Sequence, residues 1–204
     1  MLVTFLFLGN ESEQIKQQRL NQNCWYALKR ISIALLEYAQ RDGHGLYLPK
    51  SLLELVEKGY LKQKEILFCK TQNHVPYRYI PNLRLDMPGN IPIIIEQNMP
   101  HLIQSRNKIQ KMAFGLFLDF VVYSLHEGQA LFILKETDQA LDVLQKNNEY
   151  ILKQVLEDPY QSFRVKSMAL WQLGQRASPT YLRLVQQHLH HSSFWVSRQA
   201  AFTL

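Results

Sequence analysis

Cysteine is nearly absent. Cys24 and Cys69 are the two in 204 residues, and a chain of this length buries enough core to fold without covalent staples. Cys24 falls on an apolar stripe and Cys69 follows Ile66-Leu67-Phe68, so both read as small buried hydrophobes ahead of a disulfide pair. Glycine is scarce too: eight residues, scattered, which excludes the clustered loop that cradles a phosphate. No Gly-x-Ser-x-Gly elbow or similar nucleophile motif occurs, so His101, Asp119 and His126 form no acid-base set with a partner to activate. His188, His190 and His191 are the densest of seven histidines, but no carboxylate or cysteine stands beside them at ligand spacing, and they read as a polar turn between helices. The sequence therefore predicts no catalytic residue, no cofactor and no metal ligand.

Long apolar runs are missing as well. Met1 to Gly9 is apolar, but a membrane span needs about 20 such residues and a signal peptide would begin with positive charge. This stretch is expected to be either the last third of a span whose beginning is missing or the buried start of the first helix. Nor is charge concentrated: 23 Lys plus Arg against 17 Asp plus Glu leave a net +6 spread along the chain. The nearest patch, Arg106, Lys108 and Lys111 with Arg78 and Arg84, has no aromatic platform, so nucleic acid is not an expected partner.

What is present is apolar periodicity, in a chain that is 47% hydrophobic. From Asn23 to Gly45, Cys24, Leu28, Ile31, Leu35 and Tyr38 step by fours and threes, the stripe of an amphipathic helix, with Lys29, Arg30, Glu37 and Arg41 opposite. Asp42-Gly43-His44-Gly45 stops it. Ser51 and Glu54 have capping-box spacing and Gly59 sits as a C-terminal stop, predicting a short helix from Ser51 to Lys58. Strands are predicted at Ile66 to Cys69, Val75 to Ile80 and Ile91 to Glu96, with nearby prolines keeping several at edges. Met112 to Leu125 and Gln129 to Leu134 read as a β-hairpin turning on Gly128. Residues 1–136 are thus an α+β domain, a long helix packed on an antiparallel sheet.

After Thr137, taken as a helix cap, the texture becomes helical through 204. Glu149 to Leu156 is a helix broken by Asp158-Pro159. Ser162, Phe163, Val165, Ala169 and Leu173 recur as Ser193, Phe194, Val196, Ala200 and Leu204, while Leu152 and Leu156 echo less strictly in Val185 and Leu189. Two helices per unit with a period near 30 is the texture of a helical solenoid. Such a unit cannot bury its own face, so Leu173, Leu184 and Leu204 are expected to form an uncovered apolar surface.

Two families are similar to these patterns. Asn23-Cys24, Leu28-Lys29-Arg30-Ile31, Tyr38-Ala39-Gln40, Leu48-Pro49, Ser51 to Leu55, Gly59-Tyr60-Leu61 and Phe68-Cys69 resemble the head domain of prepilin-type proteins, the pseudopilins of type II secretion and type IV pilus systems. The resemblance continues through Tyr77 to Pro81, Ile91-Pro92-Ile93, His101 and the closing hairpin. Glu127-Gly128-Gln129 stands where that family has Asp-Gly-His, and the family's full N-terminal apolar helix has only a faint trace in Met1 to Leu6. The tail from Glu149 resembles HEAT repeats, with Phe163 to Lys166 and Trp195 to Arg198 as the starts of second helices. Together these imply a non-enzymatic structural or interaction protein with pilus or secretion subunits as partners. The implied location is the bacterial cell envelope, with a membrane involved only through a helix upstream of Met1. The alternatives are a soluble, cytoplasmic HEAT-repeat scaffold without a pilus role and, behind it, an enzyme of unknown reaction. Within the repeats, Arg164, Lys166, Trp195 and Arg198 are the expected partner-binding residues.

Overall fold

The stripe on the first helix governs the first half of the molecule. In the computed structural model, which describes residues 8–62, 67–69, 77–96, 101–105, 108–146, 148–176 and 181–204, α1 runs from Leu8 to Arg41. Cys24, Leu28, Ile31, Leu35 and Tyr38 are all buried, and α1 packs against strands of the sheet. The terminator works through close approach as much as through turn conformation. A Cβ on Gly43 would lie 2.0 Å from the Tyr47 carbonyl oxygen, while His44 and Gly45 take positive φ and the Gly43 and Gly45 amides donate to Tyr38 and Ala39 carbonyls.

Helix α2, Leu52–Glu57, starts at Ser51, whose hydroxyl accepts the Glu54 amide at 3.4 Å. The reciprocal arm differs from a capping box: the Glu54 carboxylate accepts the Lys50 amide at 2.9 Å and the Tyr38 hydroxyl at 2.7 Å. One side chain thereby ties α2 back to α1. Gly59, with φ +81°, ends the segment.

Five strands form one antiparallel sheet: β1 Tyr77–Tyr79, β2 Pro92–Glu96, β3 His101–Ser105, β4 Lys108–Phe117 and β5 Val122–His126. The order is β1-β2-β4-β3, with β5 also on β4. Met112 of β4 faces both His101 and His126 in register, so β3 and β5 flank β4 on opposite edges. All five residues of β2 are buried, as befits a strand covered on both faces. The expected strand starts at Ile66 and Val75, the apolar residues Met1 to Phe7, and Arg106 of the basic patch lie outside the described residues.

The expected hairpin through Gly128 is replaced. The turn after β4 is at Leu118 to Val121, with Phe120 at φ +60°, and Glu127–Lys146 is helix α3. The switch from strand to helix therefore comes ten residues before Thr137, which is interior to α3, fully buried, with its hydroxyl donating to the Ile133 carbonyl. Ala130, Ile133, Thr137, Ala140 and Val143 are buried at helical spacing, whereas Leu131 and Phe132 are exposed. An unbroken apolar run had concealed that period.

The chain divides into two compact units. Residues 1–85, 93–116 and 120–127 make the first; residues 86–92, 117–119 and 128–204 make the second. In the second, α4 Glu149–Glu157, α5 Phe163–Gln175, α6 Leu182–Gln187 and α7 Phe194–Thr203 follow α3. Asn148 and Ser162 cap α4 and α5 through side-chain oxygens. The packing α4 on α5, α6 on α7 and α5 on α7 expresses the sequence echo as two stacked helical pairs. Leu173 is consequently buried, against expectation, while Leu204 is 53% exposed. No helix among the described residues is long and apolar enough to cross a membrane.

Candidate functional site

In the first unit, Cys24 on α1, Cys69 beyond α2, Glu96 at the end of β2 and His101 at the start of β3 converge. All four are essentially inaccessible to solvent, and their donor atoms all lie within 4.8 Å of one another. The two sulfurs are 2.9 Å apart, Cys69 Sγ is 3.4 Å from His101 Nε2, and Glu96 oxygens are 3.0 and 3.1 Å from the same nitrogen. Glu96 and His101 are also held from outside the cluster. Glu96 Oε2 accepts the Phe114 amide at 2.6 Å, and the Phe114 ring packs 4.7 Å from the imidazole.

The second imidazole nitrogen fixes the tautomer. Asn21 Nδ2 donates to the Leu102 carbonyl at 3.2 Å, which leaves Oδ1 to accept from Gln17 Nε2 at 3.1 Å and from His101 Nδ1 at 2.8 Å. Nδ1 therefore carries a proton, and Nε2 is the atom turned on the cysteines and the carboxylate. Burial opposes a charge on His101, but hydrogen bonds to Cys69 and Glu96 and the Glu96 charge outweigh it and bring its pKa to about 9. The hydrogen bond with Cys24, reinforced by burial, pushes the Cys69 thiol well up. Tyr77, opposite Glu96 in register, keeps a buried hydroxyl with no hydrogen-bond partner among the described residues; burial raises its pKa, with added contributions from Glu96, Cys24 and Cys69.

This cluster went unread in the sequence. The cysteines are buried as expected, but as part of a polar constellation with Glu96 and His101, so metal-ligating chemistry cannot be set aside on spacing. The signal present was a carboxylate closing the run Ile93-Ile94-Ile95 and a histidine opening the next strand. Of the imagined acid-base trio, His101 is in the cluster, His126 is exposed on β5, and Asp119 belongs to the second unit.

The four expected partner-binding residues divide. Arg164 and Lys166 are buried, 8% and 6% exposed, and do not form an accessible face. Arg164 Nε donates to the Asn90 carbonyl at 3.1 Å, its Nη1 pairs with Glu136, and its guanidinium lies 4.5 Å from the Phe163 ring centroid. A basic residue after the N-cap here neutralises a buried carboxylate instead of meeting a partner. Trp195 is half-buried, packed against Gly89. Arg198 is exposed, with its guanidinium 5.3 to 6.0 Å from the rings of Phe194, Trp195 and Phe202. His188 and His191 stack in the turn after α6, rings 6.0 Å apart, with the His188 nitrogens on the Leu184 and Leu156 carbonyls.

Comparison with protein-family models, curated proteins and solved structures returns no match.

Proposed function

We propose that the chain is a non-enzymatic structural and interaction protein: a pilin-like head in a secretion or pilus-type system, carrying HEAT-like repeats that bind another protein through α7. The long helix on an antiparallel sheet supports the head assignment, and the stacked pairs α4-α5 and α6-α7 support the repeats. One observation carries the binding role. Applying the echo's spacing of 31 positions, Ser167, Trp171 and Leu173 of α5 correspond to Arg198 and Phe202 of α7 and to Leu204 just after it. The first three are 0%, 7% and 3% exposed; Phe202 and Leu204 are 72% and 53% exposed, and Arg198 is exposed as well. The face that α5 covers is left open on α7, and an aromatic patch around an arginine is the composition of an interaction hot spot.

The occupant that fits is an amphipathic helix of a partner protein, apolar toward Phe194, Phe202 and Leu204 and offering a carboxylate to Arg198. The test uses the full chain as bait beside Phe202→Asp and Arg198→Glu variants. A protein retained by the parent chain and lost by both variants is then purified, and its affinity measured by calorimetry. Weakening by more than about 30-fold in each variant, the loss of about 2 kcal/mol expected of a hot spot, supports the reading. Unchanged binding, or self-association of the chain through α7 seen by sedimentation, overturns it.

A further inference from the structure

We infer that Cys24, Cys69, Glu96 and His101 form a structural zinc site that clamps the first unit. The four donors come from four places in the chain, α1, the segment at 67–69, β2 and β3, so a single ion there ties those four segments together. Two thiolates, an imidazole and a carboxylate form a borderline-soft set suited to Zn2+, and four protein donors with no exposed face describe a closed structural site, not an open catalytic one.

Geometry agrees. Zinc bonds of about 2.0 to 2.3 Å imply donor-donor edges of roughly 3.3 to 3.8 Å in a tetrahedron. The edges of 3.0 Å between Glu96 and His101, 3.4 Å between Cys69 and His101 and 2.9 Å between the sulfurs, with every other donor pair within 4.8 Å, reach that range with side-chain adjustments on the order of 1 Å. A hydrogen bond between thiols or a disulfide would also bring the sulfurs together, but neither uses Glu96 and His101. A shared ion uses all four. Three features outside the donors point the same way. Asn21 holds the Nδ1 proton, so Nε2 is the nitrogen that gives up its proton and ligates when a metal enters, the outer-shell arrangement of metal-bound histidines. The Phe114 amide orients Glu96. Tyr77, on the strand beside Glu96, has a buried hydroxyl with no hydrogen-bond partner among the described residues. Metal binding releases the two thiol protons and the Nε2 proton of His101 to solvent and consumes no oxidant.

The experiment begins with the reduced full chain, stripped with a chelator and titrated with Co2+ and then Zn2+. The expected result is one Co2+ per chain with intense visible bands of tetrahedral geometry and a near-ultraviolet thiolate-to-cobalt charge-transfer band, all displaced by Zn2+. Zinc should protect both thiols from alkylation and raise the unfolding midpoint. Cys69→Ser should lose most of the charge-transfer intensity. Asn21→Leu, which leaves every donor in place, should retain the bands with affinity lowered about 10- to 100-fold; because it is read on the bound spectrum, a merely misfolded variant is recognised by the absence of bands at saturating metal. A featureless cobalt spectrum of the reduced parent chain, thiols equally reactive with and without zinc, or recovery of Cys24 and Cys69 as a disulfide that binds no metal would overturn the inference.

Discussion

Replacing Glu136 by glutamine isolates the buried ion pair of the second unit. The two side chains are 10% and 4% exposed, so the interaction is little screened by solvent, and removing one partner strands a charge. Breaking such a pair typically costs about 3 to 5 kcal/mol. Glu136→Gln should fall near the lower end, about 3 kcal/mol, because Arg164 keeps its bond to the Asn90 carbonyl and its contacts with the rings of Phe163 and Phe117. Burial pulls the arginine's pKa down and Glu136 opposes that pull; the guanidinium nevertheless stays protonated, so the cost is not escaped by neutralisation. Urea unfolding followed by tryptophan fluorescence is the assay. Trp171 and Trp195 report the second unit, and a Trp25→Phe background removes the reporter of the first. The midpoint should drop with little change in slope. The double variant Glu136→Leu with Arg164→Met should recover most of the loss, since apolar replacement of a whole buried pair is often near neutral. A single-variant cost below about 1 kcal/mol, or a double variant worse than the single, would refute the assignment of Arg164 to an internal electrostatic role.

Gly43→Ala should destabilise the first unit by roughly 2 to 3 kcal/mol because its Cβ would overlap the Tyr47 carbonyl, whereas Gly128→Ala, with nothing within 4 Å, should be neutral or stabilising by up to about 1 kcal/mol; thermal melts of the two variants check the contrast. Leu173→Ala, on a buried position, should cost about 2 to 5 kcal/mol, while Phe202→Ser at the equivalent of buried Trp171 should move stability by no more than about 0.5 kcal/mol, measured in the same urea titrations. The Tyr38 hydroxyl, the Lys50 amide and Lys58 hold the Glu54 carboxylate below its ordinary value of 4.5 against the opposing effect of burial. Its contribution is therefore complete above the unfolded carboxylate range and is lost as pH falls through the lowered value. Glu54→Gln should flatten that part of the acid stability profile and leave neutral-to-alkaline behaviour unchanged in slope.

Local periodicity by itself determined the stripe on α1, the stop at Gly43 to Gly45, the short α2, the β2 strand and the starts of α5 and α7, because each of these is specified within one or two turns or a few alternating residues. The echo of Phe163 to Leu173 in Phe194 to Leu204 likewise carried the repeated helical pair. Tertiary structure decided the rest. An apolar run such as Gln129 to Leu134 satisfies a strand or a helix equally well until its neighbours are known; here the residues buried at 130, 133 and 137 chose the helix. Whether a basic residue near a helix start meets solvent or a buried carboxylate depends on which elements cover it, so Arg164 is paired with Glu136 inside the second unit while Arg198 is exposed. The candidate zinc ligands lie in the chain as far apart as Cys24 and His101, and their alignment is created by strand register and by the seat of α1 on the sheet. Short-range patterns encode the conformation of segments; the meeting of four polar groups across such separations is set by closure of the chain around a core, which no window of sequence contains.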